Sequence, residues 1–198
     1  VELPLPTSTT QPTEAAAAEP RYRACVGIMV LNRQGLVWAG HRVSKSHRDP
    51  EGQERWWQMP QGGIDASEDP AAAALRELEE ETGMRSVTLL ATSRDWRSYD
   101  FPPELVALQR GIIFRGQTQR WIAVRFTGPD EEIDIAAKAG ITPEFDAWRW
   151  LPMGELPALV APFKRAVYTD VVAEFSNLQG SQASSRDARA SIEPPSHS

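Results

Sequence analysis

A chain of 198 residues carrying a formal net charge of −6 has room for one domain with flanking segments, and too few cations to grip nucleic acid through a broad basic face. Apolar residues at 41% and charged residues at 24% exclude general disorder, and with no apolar run near 18 residues a membrane-spanning helix is excluded too. Cys25 is the only cysteine, so neither an intrachain disulfide nor a cysteine-based metal site can form, which is compatible with a reducing cytoplasm.

Residues 1–20, rich in Pro, Thr, Ala and Glu, bury too little apolar surface to offset the entropy of ordering and read as a disordered arm. They lack the basic start and apolar centre of a signal peptide. Residues 179–198, biased to Ser, Ala, Arg and Pro, read as a disordered tail, leaving 21–178 as the folded domain. Cys25 to Leu31 and Leu36 to Ala39 are short apolar runs around a turn at Asn32–Gly35, the pattern of a hairpin. The polar stretch from Val43 to Arg55, with Pro50 and Gly52, reads as an exposed loop before a short strand at Trp56–Met59.

A helix follows, with Asp69 as its cap, Pro70 in its first turn and Gly83 at its exit. Val87–Thr92, Gly111–Phe114, Trp121–Phe126 and Ala147–Leu151 read as strands of a mixed sheet, the third alternating over Trp121, Ala123 and Arg125. From Pro162 to Leu178, Phe163, Val167, Val171 and Phe175 recur at helical period and predict a second packed helix. No internal repeat is present.

The chemistry is concentrated between Gly62 and Met84, where the residues fit G-x5-E-x7-R-E-U-x-E-E-x-G-U, with U a bulky apolar residue. With a common residue used at about 7%, such a match arises by chance on the order of once in 10⁹ starting points. At about 100° per residue, Ala71, Ala74, Leu75 and Leu78 share one face of the helix, while Glu77, Glu80 and Glu81 crowd into another arc. One face is expected to pack and the other to bind. Carboxylates held so close repel one another unless cations sit among them, and magnesium, a hard ion that also bridges to phosphate oxygens, suits them; manganese or another divalent cation is the alternative. Arg76 lies beside Glu79 and Glu80 on the wheel and can hold a carboxylate in place. Metals so placed acidify water for in-line attack on phosphorus, and Glu77, Glu80 or Glu81 could each serve as base.

This pattern resembles the Nudix box. The likeness extends to Tyr22-Arg23, Val26-Gly27-Ile28, Trp57-Gln58-Met59-Pro60-Gln61-Gly62-Gly63-Ile64, Arg115-Gly116-Gln117, Gln119-Arg120-Trp121, Pro143-Glu144-Phe145-Asp146 with Trp148-Arg149-Trp150, and Phe163-Lys164-Arg165. Over residues 22–175 it is similar to the bacterial RNA pyrophosphohydrolase and dinucleoside polyphosphate hydrolase branch of that family. The resemblance implies an α/β/α sandwich around a mixed sheet, and either release of pyrophosphate from 5′-triphosphorylated RNA or cleavage of diadenosine tetraphosphate to ATP and AMP. It makes Glu77, Glu80 and Glu81 metal ligands, joined by Glu132 and the backbone carbonyl of Gly62, with Glu131 one residue away as the rival for the distal role. It assigns Arg23 and Arg42 to phosphate, Tyr99 to the neighbourhood of the phosphates, and Phe163 and Lys164 to a wall that meets a base.

Guanidinium groups grip phosphate and an aromatic ring stacks on any base, so these residue types agree with the roles. The bland alternatives are that Arg23 and Arg42 merely flank strands and that Phe163 is core. Trp56, Trp57, Trp121, Trp148 and Trp150 read mainly as core, and His41, His47, His197 and Cys25 as structural. The chain departs from the branch in the length of Val43–Arg55 and in having His41-Arg42 where two basic residues are expected. Two other readings stay open: a non-catalytic nucleotide-binding module on the same sandwich, and a hydrolase of other nucleoside diphosphate derivatives. The partners implied are a nucleoside polyphosphate or an RNA 5′ end, with no duplex and no membrane.

Overall fold

The computed structural model describes residues 21–43, 56–107, 114–136 and 143–180. The two terminal arms, apart from residues 179 and 180, lie outside these residues, as do nearly all of the 43–55 loop, the expected strand Gly111–Phe114 except its last residue, His47 and His197.

Eight strands form one mixed sheet: β1 (Arg21–Leu31), β2 (Val37–Arg42), β3 (Trp57–Gln58), β4 (Gln61–Gly63), β5 (Val87–Thr92), β6 (Arg97–Asp100), β7 (Phe114–Phe126) and β8 (Phe145–Leu151). The spine runs β3-β2-β1-β7-β5, with β4 on β1, β6 on β7 and β8 on β2. β1 and β7 are parallel from Arg21↔Phe114 to Leu31↔Arg125, and the other pairs are antiparallel. β1 meets β2 only at Leu31↔Val37, and farther along β1 the two strands part. β4 enters that split, pairing Cys25 with Gly63 and Gly27 with Gln61, so the Gly62-Gly63 turn is held inside the sheet.

Alternation along β1 loads both faces. Val26, Ile28 and Val30 pack with Trp38, Ile122 and Val124 against Ala73, Ala74 and Leu78 of α1 (Pro70–Thr82). Met29 and Leu31 pack with Ala39, Trp121 and Ala123 against Val167, Tyr168, Val171 and Phe175 of α4 (Arg165–Phe175). The result is an α/β/α sandwich. Two short helices, α2 (Pro103–Ala107) and α3 (Leu156–Leu159), complete the set among the described residues. Because the central strands are covered on both sides, Trp121 to Phe126 is buried throughout and the expected polar alternation fails. Arg125, 6% exposed, is accommodated by donating to the carbonyls of Asn32 and Leu178.

α1 has the expected ends. Asp69 accepts from the N–H groups of Ala71 and Ala72, and Gly83 exits at φ 73°, a left-handed conformation that costs glycine nothing. Its faces differ from the expectation. Ala73, Ala74, Leu78 and Thr82 are buried, whereas Leu75 is 45% exposed and Ala71 only half-buried. On a wheel of about 100° per residue, Glu77 and Glu81 fall between Ala73 and Ala74, inside the buried arc. The acidic side therefore faces the protein, because β4 lies over it.

Candidate active site

The site forms where β1 and β2 part. β4 presents Gly62 to α1 so closely that a Cβ there would overlap the Glu77 carboxyl group. The Gln61 N–H donates to a Glu81 carboxylate oxygen at 3.2 Å. Burial raises the Glu77 carboxyl above the usual range, against the lowering effect of Arg76. Glu81 is raised well above it, first by burial and next by the charge of Glu144. Glu80, with 60% of its side chain exposed, stands at the rim.

Arg76 organises the turn. It donates through Nε and Nη2 to both carboxylate oxygens of Glu68 (2.9 and 2.8 Å), through Nη1 to Glu77 (2.9 Å), and through Nη2 to the Gly63 carbonyl (2.9 Å). Glu80 lies 3.5 Å from the same guanidinium. The expected neighbour Glu79 instead pairs with Arg85 at 2.9 Å, since it points away from the turn. Glu68, held by Arg76, is lowered to about 2.

Glu132 is not brought to this cluster. It follows Pro129 in a short 3-10 turn, Asp130–Glu132, and its carboxylate accepts from the N–H groups of Arg85 and Ser86 at 2.6 and 2.7 Å, beyond the end of α1. These bonds pull its pKa below the usual range. The carboxylate that faces Glu81 from across the cleft is Glu144, which also pairs with Arg42 at 3.2 Å. Glu144 belongs to the Pro143–Asp146 stretch that carries the family resemblance, but no helical spacing links it to α1. Only the register of β8 on β2, with a shift at Arg42↔Phe145, delivers it.

On the other side of the sheet Tyr99, Phe163 and Lys164 come together. The Tyr99 and Phe163 rings are 5.6 Å apart, and Lys164 Nζ lies 5.6 Å from the Tyr99 centroid. Tyr99, 6% exposed, donates to Gln117 Oε1 at 2.6 Å. Lys164 is 3% exposed and donates to the side-chain oxygens of Gln58 and Gln61, both at 3.0 Å. It therefore lies beneath the site as a buried cation rather than forming a wall, while Phe163 remains half-buried. Burial, helped by the charge of Arg42, lowers Lys164 to about 7. Arg23 is exposed, with its guanidinium beside Gly63 and near enough to lower Glu77.

The remaining expectations divide. His41 is buried against Asp146, to which its Nδ1 is hydrogen-bonded, and Cys25 is buried at 1%, so both are structural. Among the five tryptophans singled out from the sequence, only Trp121 is fully buried; Trp56, Trp57, Trp148 and Trp150 are half-buried.

The donor set near Gly62 is all oxygen, carboxylate and carbonyl, which fits a hard divalent cation. Among the described residues no three acidic side chains converge to hold an ion, because Arg76 and the Gln61 N–H engage Glu77 and Glu81. Oxygen donors repelling one another beside guanidinium groups suit the cleavage of phosphoric anhydrides by water.

Comparison with known proteins specifies the lineage. The sequence profile of the NUDIX domain matches residues 21–171. The chain is 57% identical over 160 residues, 80% of its length and 94% of the relative's, to a protein of Agrobacterium fabrum named RNA pyrophosphohydrolase. It is 57% identical over 158 residues, 79% and 95% of the two chains, to one of the same name from Rhizobium meliloti. Its fold is similar to the E. coli dihydroneopterin triphosphate pyrophosphohydrolase (TM-score 0.55, 19% identity, 78% of this chain and 99% of that one). It is also similar to a C. elegans Ap4A hydrolase (TM-score 0.53, 13% identity, 78% and 98%). The chain belongs to the Nudix family.

Proposed function

We propose that this chain releases pyrophosphate from the 5′ end of triphosphorylated RNA, with magnesium as its cation, in the cytoplasm. The observation that carries this reading is 57% identity along nearly the full length of relatives named for that activity. Likeness to the Ap4A hydrolase, at 13% identity, speaks for the fold alone. No helix among the described residues is long and apolar enough to cross a membrane.

Glu77, Glu80, Glu81, the Gly62 carbonyl and Glu144 would hold the cation. When bound, it would offset the carboxylate repulsion, bridge phosphate oxygens and acidify the attacking water. Arg76 holds Glu77 and the Gly63 carbonyl in register for that task. Arg23 and Arg42 lie on either side of the acidic cluster, suited to pair with the phosphate oxygens. Phe163 offers a ring to a base. Glu77, Glu80 or Glu81 would serve as the base that takes the proton of the attacking water.

The test is steady-state hydrolysis, with magnesium, of a short 5′-triphosphorylated RNA beside diadenosine tetraphosphate, with identification of products. A higher kcat/KM for RNA, giving 5′-monophosphate RNA and pyrophosphate, is the expected result. Preference for the dinucleotide, giving ATP and AMP, would overturn the RNA assignment and leave the hydrolase intact. Hydrolysis of neither would return the chain to the role of a binding module.

A further inference from the structure

The face of the sheet under α1 is covered over only part of its length. α1 packs on Val26, Ile28 and Val30, whereas Arg21 to Ala24 at the start of β1 are exposed. Register sets the bare side chains in rows across three strands. Tyr22, Gly116 and Asp100 make one row, Ala24, Thr118 and Ser98 the next, and Arg120 follows opposite Val26. Side-chain bonds confirm the common face: the Tyr22 hydroxyl donates to Asp100 Oδ1 at 2.6 Å, and Ser98 Oγ donates to Thr118 Oγ1 at 3.0 Å. Gly116 separates Tyr22 from Asp100 and adds no side chain between them, so the tyrosine can reach across. The Arg115 guanidinium sits 5.1 Å from the Tyr22 ring centroid while paired with Asp100 at 3.0 Å. Trp96, just ahead of β6, is 45% exposed.

The surface is thus a shelf of small side chains bounded by two exposed aromatics and two arginines. A solvated sheet face has no need of aromatics left in water, and an interior face would carry aliphatic residues instead of Ser98, Thr118 and Ala24. We propose that this shelf receives the RNA strand that follows the 5′ phosphates, an inference that rests on the RNA reading of the site.

Two further observations select that occupant. The first is continuity: the Ile64 N–H, directly after Gly63, donates to the Ala24 carbonyl at 3.2 Å, so a backbone hydrogen bond joins the Gly62-Gly63 turn to the edge of the shelf. The second is charge. The chain carries −6 overall, yet Arg21, Arg23, Arg115 and Arg120 all lie between the Arg21↔Phe114 and Val26↔Arg120 pairs of β1 and β7, where they outnumber Asp100 and favour a polyanion leaving Arg23. Tyr22, its position fixed by Asp100 and its ring faced by Arg115, is a stacking platform that accepts any base. Flat sheets bearing exposed aromatics stack about two or three bases in this way in a common RNA-binding module. A dinucleoside polyphosphate has no strand to lay there, so the shelf would favour RNA.

The experiment compares 5′-triphosphorylated RNAs of two and eight nucleotides, with the full chain at low salt. The octamer is expected to show a kcat/KM about tenfold or more above the dimer, a gain that shrinks as salt rises. Tyr22→Ala and Arg120→Gln, from opposite ends of the shelf, should each lower the octamer value by about fivefold or more and leave the dimer within about twofold. Fluorescence anisotropy of a labelled 5′-monophosphorylated octamer, without divalent metal, reads binding alone and should weaken in both variants. No length dependence in the wild type, or variants that match it on the octamer, would overturn the shelf while leaving the proposed reaction standing. If RNA of neither length is hydrolysed, the proposed reaction fails, and the anisotropy still decides the shelf: equal affinity in all three proteins rejects it.

Discussion

Gly62 has no room for a methyl group, because its Cβ would take the place of the Glu77 carboxyl. Gly62→Ala must push Glu77 away from β4, and misplacement by about 1 Å is enough to cost on the order of 10²-fold in rate. The expected outcome is a kcat lowered by about that factor with the circular dichroism spectrum retained. A second comparison separates carboxylates by what they touch. Glu80→Gln should abolish hydrolysis, by about 10²-fold or more, with the melting temperature unchanged, because Glu80 stands at the rim of the site. Glu132→Ala should do the reverse: activity stays within about threefold, while loss of the bonds to the Arg85 and Ser86 N–H groups costs about 1 kcal/mol, a figure already reduced for solvent exposure. Parallel kinetics and thermal melts of the two variants check both halves. A Glu132 variant that binds metal more weakly than wild type would restore it to the ligand set.

Elements with strong local signals were legible in the sequence, and those made by distant pairing were not. α1 carries its cap, its proline and its exit glycine within its own residues, and they stand where they were expected. The Asp69 cap is a local feature with a local cost: Asp69→Ala should lower stability by about 1 kcal/mol, seen as a small fall in melting temperature at unchanged kcat. β5, from Val87 to Thr92, and the turn of the first hairpin at Asn32–Gly35 were also readable. β4 was missed because Gln61-Gly62-Gly63 has no strand propensity; it is a strand only because β1 and β2 part and leave β1 a free edge. β6 was missed because Arg97-Ser98-Tyr99-Asp100 alternates too briefly to stand out, and its partner on β7 lies about twenty residues away. The wheel of α1 placed the glutamates correctly relative to one another but on the wrong side of the helix, since periodicity reports spacing and not what covers it. Glu132 and Glu144 were not separable in the sequence for one reason: neither belongs to the box, so only tertiary register sets which of them lies near Glu81.

At the scale of the whole molecule, the buried acids tie stability to cation and pH. Glu81 is raised in the folded protein, so the fold binds its proton more tightly than the unfolded chain does. Its contribution is present in full below the unfolded carboxylate range, near pH 4, and is lost as pH rises through the folded value. Lys164 is lowered to about 7, which has the opposite sense: stability is greatest above the unfolded lysine range, near pH 10, and falls as pH drops toward 7. Near pH 7.5, above the unfolded carboxylate range, the cation-free protein therefore carries the cost of burying Glu81 beside Glu144 and Glu77, together with most of the strain of a buried lysine. A divalent cation relieves the first and not the second. At a concentration about 100 times its dissociation constant, such a cation adds about 2.7 kcal/mol, or a rise of roughly 5–10 °C in melting temperature for a chain of this size. Thermal melts at pH 7.5 with and without magnesium should show that rise, and EDTA should reverse it. In Glu81→Gln the cation-free protein should melt higher than the wild type and gain little from magnesium. An increment in that variant equal to the wild type's would place the cation away from Glu81, and with it the chemistry assigned to α1.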